Sequence, residues 1–542
     1  MKKLSVFVIS FVLAAGTVMS SSFSFADNDK GSDRDGNGKD SERTQQDEGR
    51  EEKTSEGKSR NKERSERAEA PTAKDTSWFN YKNPKKEYTI YDEADLMGLA
   101  SLVNETQTDR WKPSRVETFE GVTFRLARDI ELTQPWTPIG VDKAISFAGV
   151  FDGDGHTISN MEIDAGSSNT GFFGYLKGEV KNLTVKGSVN STYGSCGAVV
   201  GQLSASGKVT GCFSEADVKG KDKTGGIVGY NNGGSVSGCV NKGSVSGTIK
   251  VGGVVGENWG GSIIRCGNSG SVKSSVRGVA TFGTGGVAGR SVSGSASISM
   301  CYNRGEIYSA TEATGGVVGY SNASKSVITS SYNTGAIKVT NKKAMAKLSE
   351  SAAGGVVGIV GTDGVIIQNC YSSGAITGAD IAGGVIGVYI ASNDDDRESL
   401  GRYVENCYSL SSSAENAVGD NNGMGGDDVN RSAESVSAGF LSGMSATLGV
   451  EFMRDHSGLY GNGGYPVLRW QEQVSGDERV YIDEISKETQ EYLSERMAVV
   501  LEESSERGRI VMHFLNPESA MESAFEGYDS EGEYTLPVET EE

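Results

Sequence analysis

The phrase Gly225-Gly-Ile-Val-Gly229 decides the fold, because it returns at regular intervals along the middle of the chain. Eight versions occur between residues 171 and 387, and successive final glycines are 27 to 39 residues apart. Repetition at this period is the signature of a solenoid, in which each repeat is one coil stacked on the next. The final glycines are Gly174, Gly201, Gly229, Gly256, Gly289, Gly319, Gly358 and Gly387.

Each unit holds a second phrase, such as Val236-Ser-Gly-Cys239-Val-Asn241. A valine or isoleucine stands three residues before the cysteine, and in every copy but the last another stands six residues after it. Side chains alternate along a strand, so the even spacing allows a shared face, whereas the odd spacing requires a bend or bulge. These short strands predict an all-β fold, a right-handed parallel β-helix with three strands per coil.

Six of the seven cysteines fall at one equivalent position of the repeat, with Ser331 in the remaining copy. Stacked coils would set these side chains in a column about 4.8 Å apart. Parallel in-register strands point the Cβ atoms the same way, which is poor disulfide geometry. We therefore expect buried thiols that fill the core, with a disulfide ladder as the alternative. The column residues are Cys212, Cys239, Cys266, Cys301, Cys370 and Cys407.

Asparagine recurs two residues after the cysteine position in four copies. Stacked amides at a corner can satisfy one another, so we expect a structural ladder here and not a substrate site. The four residues are Asn241, Asn268, Asn303 and Asn333.

Composition and charge restrict the function classes. The chain has 75 glycines among 542 residues without a three-residue period, which excludes a collagen-like protein. Its net charge is −20, of which −15 lies in residues 471–542, so the body 76–470 is almost neutral. We therefore expect neither nucleic acid nor an anionic membrane as partner.

The N-terminal region predicts export. Residues 1–26 have the basic start, apolar stretch and Ser24-Phe25-Ala26 cleavage site of a secretory signal peptide. Residues 27–75 are charged and polar, which indicates a disordered linker. No later stretch is apolar and long enough to span a membrane. We expect a protein that is secreted or held noncovalently at the cell surface.

The rest of the chain divides by composition. Residues 76–170 are expected to form a cap and the first coils, with a short amphipathic helix over Asp92–Val103. The repeats fill 171–413, and closing coils with a loop fill 414–470. Residues 471–542 are expected to form an acidic α+β appendage with strands at 479–485 and 509–515 around a helix at 487–504, partly disordered.

Several motifs resemble the GLUG-motif repeats of bacterial secreted and surface proteins. They include the glycine phrase, Cys301-Tyr-Asn-Arg-Gly305, Trp136-Thr-Pro-Ile-Gly140 and the closing Asn462-Gly-Gly-Tyr-Pro-Val-Leu-Arg-Trp470. The resemblance covers about 76–470 and implies the same β-helix. It implies little about activity, because such repeats accompany adhesins, proteases and surface proteins of many kinds.

No catalytic residue is assigned. His156 belongs to a turn, His456 and His513 stand alone, and there is no His-Glu-x-x-His zinc motif. Two acidic loops offer oxygen ligands suited to calcium, although neither has EF-hand spacing and a solvated loop is the plainer interpretation. No other cofactor is expected. The calcium candidates are Asp394, Asp395, Asp396, Asp427 and Asp428.

The regular positions of the repeat are explained by stacking, which favours a non-catalytic adhesion or scaffold module that binds glycan or a surface protein. Two alternatives stay open. One is a carbohydrate-active β-helix enzyme, such as a lyase or glycosidase using carboxylates near Arg397. The other is an accessory module for a separate surface peptidase.

Overall fold

The structure is a computed structural model that describes residues 73–80, 82–105, 118–166, 168–275, 282–294, 296–340, 351–362, 364–390, 403–420, 433–455, 462–471, 499–504 and 509–514. The predicted signal peptide and almost all of the predicted linker lie outside these ranges. So do the 479–485 strand and the predicted helix up to residue 498.

The described chain is a β-solenoid in which every strand of three sheets pairs in parallel with the strand one coil away. The parallel β-helix expected from the repeat is thereby confirmed. A typical coil covers 208–232 and holds five short strands instead of three: three in the first sheet and one each in the second and third sheets. The third sheet has nine strands, each from a different coil, and its first strand is Phe173–Leu176.

The first sheet has 26 strands. They are Glu87–Ile90, Thr123–Leu126, Ile130–Glu131, Val150–Asp152, Thr157–Ala165, Glu179–Lys181, Thr184–Ser191, Lys208–Thr210, Phe213–Ser214, Asp217–Lys219, Ser235–Ser237, Val240–Asn241, Val245–Gly247, Ser262–Ile264, Gly267–Asn268, Val272–Ser274, Ser297–Ser299, Tyr302–Asn303, Ile307–Ser309, Val327–Thr329, Tyr332–Asn333, Ile337–Val339, Ile366–Ser372, Ile376–Thr377, Val404–Leu410 and Ala433–Val436.

The second sheet has eight strands: Asn169–Thr170, Ser195–Gly197, Thr224–Gly225, Val251–Gly252, Gly283–Gly285, Ala313–Gly315, Ala352–Gly354 and Ile381–Gly383. The third sheet contains Phe173–Leu176, Val200–Leu203, Val228–Asn232, Val255–Trp259, Ala288–Val292, Val318–Asn322, Val357–Val360, Ile386–Tyr389 and Val418–Asp420.

The glycine phrase is the sharp corner between the second and third sheets. A Cβ on Gly225 would collide with the carbonyl oxygen of Val228, and a Cβ on Gly226 would collide with the amide of Asn241 in the first sheet. A Cβ on Gly229 would lie 2.5 Å from the backbone nitrogen of Cys196. The repeated glycines are therefore needed for close approach of backbones, and the corner presses against the asparagine ladder.

A left-handed residue bends the first sheet just before the cysteine position of each coil, as the odd spacing predicted. A glycine supplies it in two coils, and larger residues adopt the same conformation elsewhere, at a cost of about 1–2 kcal/mol each. These residues are Gly211, Gly238, Arg265, Met300, Ser330, Asn369 and Asn406, with φ between 47° and 62°.

Helix α1, Glu93–Asn104, covers the first coil. The carboxylate of Asp92 caps it by accepting a hydrogen bond of 3.1 Å from the backbone N–H of Asp95. Leu96, Leu99 and Val103 are fully buried in the core cluster that continues along the coils. The predicted cap helix is confirmed within one residue at each end.

Residues 438–455 and 462–471, here called the strap, add no coil but run back along the outer face of the first sheet. The strap contains helix α2, Ala438–Ser442, an antiparallel pair, Phe452–Met453 with Val467–Leu468, and a 3₁₀ turn, Arg469–Gln471. Beneath it lie Tyr302, Tyr332 and Tyr371, whose rings stack with centroids 5.7 and 5.1 Å apart.

Polar contacts show the direction of the strap. The Asn406 amide donates to the Thr447 carbonyl at 2.6 Å, and the Tyr371 hydroxyl donates to the Pro466 carbonyl. The Trp470 indole N–H donates to the Met300 carbonyl at 2.9 Å. Later strap residues therefore contact earlier coils.

The helix predicted at 487–504 is wrong over its last six residues. Val499–Ser504 is a strand that pairs antiparallel with Arg509–Phe514, a segment that the sequence did predict as a strand. The two segments are joined by only four residues, so antiparallel pairing of the backbones outweighs the helix propensity of the Leu-Glu-Glu stretch.

Candidate functional site

The predicted thiol column exists as a set of buried side chains. All seven cysteines are buried and none forms a disulfide. In the column each thiol donates to the carbonyl oxygen two residues before it, for example Cys301 to Ser299 at 3.1 Å, and Ser331 donates in the same way to Thr329 at 2.8 Å. The side chains at this position therefore form hydrogen bonds across the bend that the left-handed residue creates. The members brought together are Cys212, Cys239, Cys266, Cys301, Ser331, Cys370 and Cys407.

Burial makes these thiols poor nucleophiles. It raises the pKa of the Cys196 thiol to about 12. It also raises the pKa of Cys212, Cys239, Cys266 and Cys370 well above the ordinary value. Because the thiolate is the reactive form, these five thiols are poor nucleophiles at neutral pH.

The asparagine ladder is continuous through four coils. The amide of Asn241 donates to Oδ1 of Asn268 at 2.9 Å, and the bonds from Asn268 to Asn303 and from Asn303 to Asn333 are 2.8 Å. Each amide also donates to the carbonyl of the glycine two residues on. All four side chains are fully buried, so a ligand cannot reach them.

The structure brings no calcium site together within its described residues, where no group of three or more His, Cys, Asp or Glu could hold a metal ion. Asp394, Asp395, Asp396, Asp427 and Asp428 lie outside those residues. His156 lies in a turn, with Nδ1 3.2 Å from the Asp129 carboxylate. His456 also lies outside the described residues, and His513 is on the second strand of the C-terminal pair.

A cluster of charged side chains lies where the second sheet meets the third. Glu257 is only 3% exposed, and its carboxylate is 2.9 Å from Nη1 of Arg290, 3.5 Å from Nζ of Lys250 and 3.9 Å from Nζ of Lys223. Asp222 is 2.9 Å from Lys223 and 3.2 Å from Lys250. We call these five residues the charge cluster.

The charge cluster is held by adjacent rungs. Glu257 stands opposite Tyr230 on one neighbouring strand and opposite Arg290 on the other. The two lysines and Asp222 come from the segments that enter the second sheet, so they reach the same point from the other side of the glycine corner. Burial by itself would raise the pKa of Asp222, but the hydrogen bond from Lys223 and the charge of Lys250 together lower it.

Aromatic rings border the charge cluster. Lys223 lies over the ring of Tyr230, 5.1 Å from its centroid, and Arg290 lies 5.7 Å from the ring centroid of Tyr320. Trp259, two residues after Glu257 on the same strand, is 46% exposed. Residues two apart on a strand project to the same face, so the indole of Trp259 and the charge cluster lie on the same face of the third sheet. We call Tyr230 and Trp259 the aromatic platform, whereas the Tyr320 ring is only 6% exposed and belongs to the core.

Sequence reasoning missed this face, although a signal was available. The residue that follows the last glycine of each phrase changes character from coil to coil. In the coils around the charge cluster it is Gln202, Tyr230, Glu257, Arg290, Tyr320 and Ile359. A position that varies inside a strict repeat is free of the stacking constraint, and it is where a solenoid can carry function.

Comparison with known proteins assigns neither a family nor an activity. No family model matches the chain. Halomucin of Haloquadratum walsbyi is 33% identical over 87 residues, which are 16% of this chain and 1% of halomucin. The crystal structure of a "putative immunoglobulin A1 protease" from Bacteroides ovatus matches with a TM-score of 0.38 and 18% identity over 71% of this chain and 92% of that chain.

In the described part of the chain, no helix has both the length and the apolar character needed to cross a bilayer.

Proposed function

We propose that this protein is an exported, non-catalytic β-solenoid of the GLUG-repeat type that binds glycans at a cell surface through the aromatic platform. The observation that carries the proposal is the exposed indole of Trp259 beside the charge cluster. A large exposed aromatic ring next to fixed polar groups is typical of a binding surface, since the apolar face contacts the ligand and the polar groups orient it.

The arrangement of the repeat supports binding over catalysis. The recurring polar side chains are buried and form hydrogen bonds between successive coils, as in the asparagine ladder. In the charge cluster the pKa of Asp222 is lowered, because Lys223 and Lys250 outweigh the effect of burial, and this favours the ionised form over the protonated form that a general acid requires.

Parallel coils make the platform rigid. Tyr230, Glu257, Arg290 and Tyr320 occupy successive rungs of the third sheet, about 4.8 Å apart. A rigid surface loses little conformational entropy on binding, which suits the recognition of an extended polymer along several rungs.

The test is a screen of the full-length chain against an array of neutral and charged polysaccharides, with Trp259→Ala beside the native protein. We expect binding that the substitution weakens at least about tenfold, which corresponds to roughly 1.4 kcal/mol. Phe440→Ala, which removes an exposed aromatic ring from helix α2 of the strap, away from the platform, is the matched control and should bind as the native protein does.

Glycan binding that is indifferent to Trp259 would contradict the proposal. Release of reducing or unsaturated ends during the same screen would instead favour the enzyme alternative. In that case Asp395→Asn is the first variant to examine for loss of turnover.

A further inference from the structure

We infer that the ligand of the aromatic platform is a polysaccharide that carries negative charge. This inference rests on the proposed function and specifies its ligand class. Its first basis is a reversal of charge along the chain: the whole protein carries −20, yet residues 208–290 hold ten basic and four acidic side chains, a net charge of +6. These residues form the three coils that contain the charge cluster.

The charge cluster itself has one cation in excess. Lys223, Lys250 and Arg290 face only two carboxylates, those of Glu257 and Asp222. The side chains of the three cations are each between 13% and 22% exposed, whereas Glu257 is almost inaccessible. Asp222 is 28% exposed, so the solvent side of the cluster presents three cations and one carboxylate, with the carboxylate of Glu257 beneath them.

Two further lysines extend this positive surface. Lys219 and Lys221 are exposed and lie in the segment that leads into Asp222 and Lys223. Because Lys250 contacts both carboxylates, its ammonium group is held in place instead of ranging freely. Fixed cations beside an exposed indole match a sugar ring that bears an anionic substituent: the ring contacts Trp259 and the substituent meets the ammonium groups.

The cations and the exposed indole fit an anionic sugar polymer, in which the charge comes from carboxylate or sulfate. Nucleic acid is disfavoured because the positive charge is confined to three coils of a strongly acidic chain. A phosphate backbone that is bound nonspecifically requires an extended basic surface.

The experiment measures binding of the full-length chain to polygalacturonate, dextran sulfate, uncharged dextran and a single-stranded DNA oligonucleotide, at low and at high salt. We expect polygalacturonate or dextran sulfate to bind at least about tenfold more tightly than dextran, with the advantage falling as salt screens the charges. The tighter of the two polyanionic glycans identifies the anionic group.

The Lys219→Ser/Lys221→Ser double variant should lower the affinity for the preferred anionic glycan about fivefold or more, which is roughly 1 kcal/mol. Both side chains are exposed, so the substitutions do not threaten the fold. Lys325→Ser removes an equally exposed lysine outside the three coils and should leave the affinity unchanged.

Equal, Trp259-dependent affinity for dextran and the anionic glycans would overturn this inference and leave the proposed function standing. Binding of DNA as tight as that of the anionic glycans would also overturn it, because the surface would then recognise polyanions in general. Absence of any Trp259-dependent glycan binding would defeat the proposed function and this inference together.

Discussion

The hydroxyl of Tyr332 donates a hydrogen bond of 2.9 Å to Oε1 of Gln471, which lies 139 residues further along the chain. The same amide oxygen accepts from the backbone N–H of Leu468 at 2.9 Å, and Nη2 of Arg304 donates to the Tyr332 hydroxyl at 3.1 Å. This buried set of polar groups fixes the end of the strap to the first sheet.

Tyr332→Phe should destabilise the protein by about 1–2 kcal/mol, because Gln471 and Arg304 each lose a buried hydrogen-bond partner. Urea unfolding measures the loss, and amide hydrogen exchange should show it first at Val467 and Leu468. Tyr193→Phe, which changes an exposed ring, serves as the control and should have the same urea unfolding midpoint as the native protein. Unchanged exchange in the strap of the Tyr332 variant would refute this role.

Asn268→Ala should lower the free energy of unfolding by about 2–4 kcal/mol. It removes one amide from a buried ladder, so the groups on both sides each lose a hydrogen-bond partner. Asn241 loses its acceptor, and Asn303 and the Gly270 carbonyl lose their donor. The exposed Asn83→Ala should change stability by less than about 0.5 kcal/mol. Equal unfolding midpoints for the two variants would show that the ladder contributes nothing.

Glu257→Gln should destabilise the protein by up to about 3 kcal/mol, because Lys223, Lys250 and Arg290 then face one another with Asp222 as their remaining partner. The loss should shrink in high salt, which screens the repulsion among cations that are partly exposed. Glu306→Gln removes an exposed carboxylate paired with Lys338 and should leave the unfolding midpoint unchanged. A glutamine variant as stable as the native chain would show that the charge cluster does not contribute to the stability of the fold.

The thiols should make the protein sensitive to alkaline pH. Burial holds the pKa of Cys196 at about 12, against an ordinary value of 9.0, and raises the pKa of Cys212, Cys239, Cys266 and Cys370. The folded state therefore keeps its thiols protonated after the unfolded state has lost its protons. Their contribution to stability is fully present below about pH 9 and falls as pH rises toward 12, by about 1.4 kcal/mol per pH unit for each thiol.

Urea midpoints measured from neutral pH to pH 10.5 test this slope. The Cys212→Ala/Cys239→Ala double variant should be less stable at neutral pH but should lose less stability per pH unit. Alkylation at neutral pH should be slow in the native protein and should reach all seven thiols in denaturant. Rapid native alkylation, or fewer than seven thiols in denaturant, would contradict the buried column.

The sequence could predict most features that the repeat enforces, although it predicted three strands per coil where there are five. The period of the glycine phrase predicted the coils, and the odd spacing from Val236 to Cys239 predicted the bend that Gly238 makes in the left-handed conformation. The amphipathic pattern over Asp92–Val103 predicted helix α1. These features share one cause: local spacing along the chain maps directly onto position within a coil.

Features that depend on contact between distant, non-repeating segments could not be predicted in this way. The strap meets Tyr302, Tyr332 and Tyr371 from more than 60 residues away, and no pattern in its own sequence names that partner. The charge cluster was not predicted either, although the varying residue after each glycine phrase was a signal, because the contact of Glu257 with Lys250 depends on how the glycine corner folds two sheets against each other.

The strap changes how the stack can come apart. An ordinary solenoid opens from its ends, because each coil holds only its two neighbours. Here the Trp470 indole is hydrogen-bonded to the Met300 carbonyl, so the last coils cannot unfold separately until the strap dissociates from much earlier coils. A force applied to the chain beyond Gln471 would act on the solenoid near the coil of Met300 and not at its terminal coil. Tension from a surface attachment would therefore load several coils at once, and these coils would resist it as one cooperative unit.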